Sequence, residues 1–189
     1  MIEKLLTDTG AMLNGHFLLS SGLHSDKYIQ CALLMQWPVV AEQVSKELAK
    51  LFVHTDVDVV VGPAMGGIVL VYEVARIIER RAIFTERENG EMVLRRGFSL
   101  SPCERVIVLE DVVTTGGSLM DTINLCKKNS AYIVDIGTII DRSSKDINFG
   151  RPLHSLLKLE IKTWSKEDCP MCKDGVKLVK PGSREIHVE

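Results

Sequence analysis

Branched apolar residues in this chain come in short blocks bounded by glycine, proline or charge, and the blocks alternate between two periods. Residues 39 to 52 carry apolar side chains at Val40, Val44, Leu48 and Leu51, a spacing that predicts an amphipathic helix. Val57-Asp58-Val59-Val60-Val61 reads as a strand, Gly62-Pro63-Ala64-Met65-Gly66-Gly67 as a loop, and 68 to 80 as a second helix. A short strand at 82 to 85 follows, then a long connection over 86 to 104 and a strand at 106 to 109. A helix from Ser118 through Leu125 and an apolar strand at 132 to 140 complete the pattern, while Gly- and Ser-punctuated residues 11 to 31 read as a strand pair. Branched strands alternating with helices predict an α/β fold built on a doubly wound parallel sheet, whose ligands sit at the carboxyl ends of the strands. Both glycine-rich loops lie there.

The strand at 106 to 109 carries the most chemistry. Val106-Ile107-Val108-Leu109 runs into Glu110-Asp111-Val112-Val113-Thr114-Thr115-Gly116-Gly117-Ser118, two adjacent carboxylates followed by a small, hydroxyl-rich loop. With Ser118 capping the next helix, the amides of Thr115 to Ser118 are free of intrahelical partners, and the helix dipole is positive at that end. A phosphate monoester fits there, bound by those amides and the hydroxyls of Thr114, Thr115 and Ser118. Glu110 and Asp111 can accept hydrogen bonds from the vicinal hydroxyls of a sugar beside it. The plainer reading is a helix-capping turn after an acidic strand end. Neither G-x-x-x-x-G-K-[ST] nor a strand-linked G-x-G-x-x-G occurs.

Two further segments bear on a phosphosugar site. Ala64, Met65, Gly66 and Gly67 form either a backbone-lined anion loop or a close strand-to-helix turn. The 86 to 104 connection exceeds ordinary loop lengths and predicts a lid or a hairpin turning at Asn89-Gly90. Its Arg87, Arg95 and Arg96 either neutralise a polyanion or alternate with acids on a solvated hairpin.

Composition narrows the classes. The 189 residues are 46% hydrophobic and 25% charged, enough for one domain with its own core. A net charge of -2 gives no basic footprint for nucleic acid or a membrane surface. No apolar run approaches the ~18 residues of a membrane span, and Met1-Ile2-Glu3-Lys4 lacks a signal-peptide pattern. Five cysteines, an odd number, fit a reducing compartment, so a cytoplasmic location is expected.

The 106 to 118 run resembles the phosphoribosyl pyrophosphate (PRPP) signature of type I phosphoribosyltransferases, and 62 to 67 resembles their pyrophosphate loop, which can hold a strained or cis peptide. More narrowly, the chain is similar to orotate phosphoribosyltransferases of a shorter, Thermus-like bacterial branch. Gly15-His16-Phe17-Leu18-Leu19-Ser20-Ser21-Gly22-Leu23-His24-Ser25-Asp26-Lys27-Tyr28 resembles the hood over the base. Asp141-Arg142 stands where that family has an orotate-contacting arginine, and Lys180-Pro181-Gly182-Ser183-Arg184 also resembles this branch.

The resemblance implies one domain over 1–189, with a core at about 37–149 and a hood drawn mainly from 1–36 and part of 150–189. It implies transfer of 5-phosphoribosyl from PRPP to orotate in pyrimidine biosynthesis, with Mg2+ held mainly through PRPP, in a homodimer. PRPP would be bound by Glu110, Asp111, Val112, Val113, Thr114, Thr115, Gly116, Gly117 and Ser118, and pyrophosphate by Ala64, Met65, Gly66 and Gly67. Orotate would meet Thr114 and Arg142, and Arg87 and Asp111 would be catalytic. Two departures stand out. Arg87 is followed by Glu88-Asn89-Gly90, without the family's lid lysine and histidine, and Phe17-Leu18-Leu19-Ser20-Ser21-Gly22 lacks the lysine of Phe-x-x-Lys-Ser-Gly. The alternatives are a purine-type phosphoribosyltransferase and a PRPP-sensing regulator without catalysis.

Cys169-Pro170-Met171-Cys172 has the spacing of half a zinc site. Cys31, Cys103 and Cys126 stand alone, and His154 and His187 make no His-x3-5-His pair. A reduced structural turn is expected instead, with no metal ligands in the protein itself. His16, His24 and His54 are expected at the surface or in the hood.

Overall fold

The computed structural model describes residues 1–19 and 21–181; Ser20, Gly182, Ser183, Arg184 and His187, named above, lie outside the described residues. In chain order the elements are α1 (Ile2–Asp8), β1 (Met12–Leu18), β2 (His24–Ile29), α2 (Cys31–Met35), α3 (Pro38–Lys50), β3 (Val59–Pro63), α4 (Gly67–Ile77) and β4 (Arg81–Glu88). They continue as β5 (Glu91–Leu94), β6 (Arg105–Val113), α5 (Gly117–Lys128), β7 (Tyr132–Asp141), β8 (Leu153–Lys158), β9 (Thr163–Trp164) and α6 (Pro170–Lys173).

Six strands form the central sheet in the order β5-β4-β3-β6-β7-β8, all parallel except the edge hairpin β4–β5. Strand alternation sends successive side chains to opposite faces, and each face has its own core. Val60, Ile107 and Leu109 pack with Leu70, Val71 and Val74 of α4 and with Val44 and Leu48 of α3. Val59, Val61, Val106 and Val108 pack with Leu119, Ile123 and Cys126 of α5. The doubly wound parallel sheet expected from the sequence is thus present. The sheet continues past residue 149 into β8, and Ile2, Leu6 and Leu34 join the α3–α4 core, so the terminal segments also serve the core.

The segments expected to form a hood contribute a second, three-stranded antiparallel sheet in the order β1-β2-β9. Its strands come from opposite ends of the sequence, and Val179 adds a bridge to Phe17. Between Asn14 and Phe17 the β1–β2 register shifts, and consecutive residues His16 and Phe17 are both buried. Such an irregularity breaks the in-out alternation of a strand and re-aims a side chain. No helix among the described residues is long and apolar enough to cross a membrane.

Candidate active site

β6 runs further than the sequence pattern implies. Its ladder with β7 holds through Glu110, Val112 and Val113, so the two acids lie in the strand rather than after it. The branched Val112 and Val113 resume the strand pattern beyond the charged pair, which explains the extension. The pleat of a strand sends neighbouring side chains to opposite faces. Accordingly, Glu110 faces α5, where the Leu119 amide donates to it and Arg87 attracts it, while Asp111 lies against Gly66 of the loop before α4.

Both carboxyls titrate high. Burial is the main cause for Glu110, reinforced by the Asp111 charge, and pushes it up to about 8. Burial also raises Asp111, against the pull of its own and the Val112 amide. The Arg87 charge opposes the rise at Glu110 but is outweighed by burial and by Asp111.

The turn into α5 departs from expectation at its cap. Gly116 is the N-cap, at φ 73°, and Ser118 lies inside the first turn. A Cβ on Gly116 would stand 2.7 Å from Phe149 Cζ, so both the left-handed backbone and the close packing call for glycine. No side chain caps α5, and Thr114, Thr115 and Gly117 are exposed. Ser118 is half-buried, its carbonyl accepting from the Thr122 hydroxyl at 2.9 Å. With the Leu119 amide turned to Glu110, the Gly117 and Ser118 amides are left to a ligand or to water, as an anion site requires.

The second loop closes the other side. The Ala64–Met65 peptide is cis, the Ala64 amide donates to the Thr85 carbonyl at 2.8 Å, and α4 starts at Gly67. Gly62 and Pro63 belong to β3, which runs two residues into the segment read as loop.

The 86 to 104 connection begins as the hairpin expected at Asn89-Gly90, and β4 itself reaches Glu88. Its arginines are engaged with acids. Arg87 donates to Asp121 Oδ2 at 2.6 Å and to the Gly90 carbonyl at 2.9 Å. Arg96 forks onto Glu86 with two bonds of 2.9 Å, and Arg95 pairs with Glu88 at 3.5 Å. These pairs are largely exposed, so each costs little to exchange for a ligand.

On the hood side, the Arg142 backbone continues from β7 and donates to the Val113 carbonyl at 2.8 Å. Its Nε is buried without a partner among the described residues. Burial lowers its pKa, while Tyr28 and Cys31 nearby oppose that. Asp141 is occupied by the Ser143 amide and hydroxyl, at 2.8 and 2.6 Å, and does not neutralise Arg142 through Oδ1. Tyr28 of β2 is half-buried and feels both Arg142 and Asp111. In the sequence it is visible only as part of the hood segment, with nothing to single it out. Asp26 Oδ1 and Lys180 Nζ, also on hood segments, are likewise buried and unpartnered among the described residues.

The expectation that Cys169 and Cys172 lack partners is overturned, because His16 and His24 converge on them. Both histidines are 3% exposed, so they belong to the hood but not to its surface.

Residues 34–165 match the family model of the phosphoribosyl transferase domain. The chain is 54% identical over 186 residues to an orotate phosphoribosyltransferase of Thermotoga maritima, covering 98% of this chain and 100% of that one. To one of Caldanaerobacter subterraneus it is 56% identical over 172 residues, covering 91% and 90%. Among solved structures, an orotate phosphoribosyltransferase from Aeropyrum pernix superposes with a TM-score of 0.73 at 25% identity, covering 85% of this chain and 94% of that one. An adenine phosphoribosyltransferase from Thermoanaerobacter pseudethanolicus shares the fold at a TM-score of 0.60 and 15% identity, covering 70% and 88%. Two adjacent acids near the end of β6, a glycine N-cap without a side-chain cap on α5 and near-full-length identity above half together place the chain in the phosphoribosyltransferase family, on its orotate phosphoribosyltransferase branch.

Proposed function

We infer that this chain transfers the 5-phosphoribosyl group of PRPP to a ring nitrogen of orotate, releasing pyrophosphate and orotidine 5'-phosphate for pyrimidine biosynthesis. The observation that carries the choice of base is Arg142, a half-buried guanidinium whose Nε has no partner among the described residues. A buried cation left so is costly, and the carboxylate of orotate supplies the missing anion in the planar geometry a guanidinium suits. Neutral purines offer no such charge.

In this reading the 5-phosphate sits on the amides and hydroxyls of Thr114 to Ser118, and the loop from Ala64 to Gly67 receives the pyrophosphate. Glu110 and Asp111 accept hydrogen bonds from the ribose hydroxyls and face the positive charge that grows on the sugar as the pyrophosphate departs. Arg87 exchanges Asp121 for the leaving polyanion. Tyr28 and Arg142 hold the base, and the β1-β2-β9 sheet keeps water from the activated sugar. Mg2+, held mainly by PRPP oxygens, would neutralise pyrophosphate charge, and the acid pair offers the all-oxygen surroundings that this ion takes.

A homodimer is part of the proposal. Met65, Val69 and Tyr72 are 82%, 44% and 61% exposed on and just before α4, an apolar surface beside the pyrophosphate loop. The deciding experiment incubates the protein with PRPP and Mg2+ against orotate, uracil, adenine, hypoxanthine and xanthine. Orotate alone should release pyrophosphate; turnover of a purine with orotate untouched would overturn the reading.

A further inference from the structure

His16, His24, Cys169 and Cys172 each bring one ligating atom to a common point, all within 4.8 Å of one another. They come from β1, β2 and the start of α6, with Cys169 lying 153 positions from His16. His16 Nε2 is 2.8 Å from His24 Nδ1 and 3.4 and 3.7 Å from the sulfurs of Cys169 and Cys172, and His24 Nδ1 is 3.3 Å from Cys172 Sγ. A tetrahedral zinc ion with its usual bond lengths sets nitrogens about 3.3 Å apart and nitrogen from sulfur about 3.6 Å. The three nitrogen–sulfur contacts have that size, and the nitrogen–nitrogen edge is drawn closer.

Protonation points the same way. His16 Nδ1 lies 2.8 Å from the Val176 carbonyl, which only accepts, so Nδ1 carries the proton and Nε2 turns a bare lone pair into the cluster. Three donor-capable groups, the two thiols and His24 Nδ1, crowd that one lone pair. One lone pair serves a single strong donor and leaves the thiols only weak bonds to sulfur, whereas a cation takes a lone pair from each of the four atoms. The Val176 contact is also the outer hydrogen bond that orients a metal-bound imidazole.

We propose that these residues form a structural zinc site that fastens the N-terminal hairpin to the C-terminal segment. Zn2+ displaces one proton from each thiol to solvent, giving a neutral centre of two thiolates and two imidazoles. Soft sulfur and nitrogen ligands select zinc over magnesium, and four protein ligands leave no open position for chemistry. Cys169 is fully buried and both histidines nearly so, as a closed site requires. His16 and His24 belong to the strands of the hood, so the ion would set how rigidly that sheet stands over the base pocket.

The test is elemental analysis of the full chain, expressed with zinc and dialysed against metal-free buffer. About one zinc per chain is expected, with almost none in Cys172→Ser and wild-type content in Cys103→Ser, whose thiol is exposed. Zinc affinity in Cys172→Ser should fall more than about a hundredfold, beyond the loss typical of outer-shell changes. Cobalt substitution should give the visible bands of tetrahedral coordination with a thiolate charge-transfer band, and chelation should lower the melting temperature reversibly. None of these readouts depends on turnover. Wild-type protein that holds zinc no more tightly than Cys172→Ser, an octahedral cobalt spectrum, or a Cys169–Cys172 disulfide in freshly isolated metal-free protein would overturn the proposal. If Cys172→Ser does not fold, the stoichiometry and cobalt spectrum of the wild-type chain decide.

Discussion

A methyl group at Gly66 would stand 2.5 Å from Asp111 Oδ2, so the loop before α4 and the acid of β6 fit together only while residue 66 has no side chain. Gly66 has an ordinary helical φ of -59°, which any residue tolerates, so the constraint comes from the neighbour and not from the backbone. Gly66→Ala is expected to displace the Asp111 carboxylate and raise the KM for PRPP by about tenfold or more, the scale of one charge-assisted hydrogen bond. The melting temperature should move by only a few degrees. Steady-state kinetics at saturating orotate check this, and an unchanged KM would separate Asp111 from the PRPP site.

Glu110 gives a pH dependence with a definite sign. The native carboxyl keeps its proton up to about pH 8, whereas in the unfolded chain it ionises near 4.5. Between those values the unfolded state holds fewer protons, so the ligand-free protein should lose stability as pH rises and level off above about 8. A tenfold difference in proton affinity between the folded and unfolded chain is worth about 1.4 kcal/mol, and Asp111 is displaced in the same direction. Glu110→Gln should therefore be more stable than wild type at pH 8, flatter in its pH profile, and weaker in PRPP use. Denaturant melts at pH 5 and pH 8 test it; a wild-type protein more stable at pH 8 contradicts the buried-acid assignment.

Arg142→Ala should act on the base side alone. Removing the cation leaves the orotate carboxylate unpaired and should raise the KM for orotate by about ten- to a hundredfold, as for a hydrogen bond to a charged group. PRPP binding, measured by calorimetry, should change less than about threefold, within about 1 kcal/mol. Equal losses for both ligands would remove the base-side role.

Arg87 is held by Asp121 and the Gly90 carbonyl, so the transfer to pyrophosphate proposed for it would require the hairpin to rearrange. Arg87→Ala is expected to lower kcat at least about tenfold while leaving the KM for orotate nearly unchanged, and PRPP with Mg2+ should slow amide exchange across β4 and β5. Mixed Arg87→Ala and Asp111→Asn subunits should regain activity if the hairpin serves a neighbour's site. No gain despite proven subunit exchange would assign the hairpin to its own chain.

Local periodicity reveals the fold where local interactions decide it. Val59 to Val61 and Val106 to Leu109 are short branched runs bounded by loop residues or charge, as a buried strand is, and Asn89-Gly90 turns where its residue types demand. The reach of β6 is hidden because two acids interrupt its apolar run, although Val112 and Val113 resume it. Hydroxyl chemistry points to Ser118 as the cap of α5, whereas the positive φ of Gly116 fixes the helix start two residues earlier. Arg142 stands out only by its family position, since nothing in Asp141-Arg142 reveals that Asp141 is engaged by Ser143. Spacing cannot join His16 and His24 to the cysteines, because the ladder irregularity in β1 and the distant return of the chain bring them together.

The hood's mixed origin sets an order of events on the ribosome. β1 and β2 emerge before the central sheet, yet their partner β9 and the Val179 bridge to Phe17 are made after it. Contacts of such long sequence separation form slowly, while the sheet from β3 to β8 can assemble as synthesis proceeds. A nascent chain therefore acquires its central sheet before the β1-β2-β9 sheet, and only a chain translated through the Cys169 region can complete the smaller one.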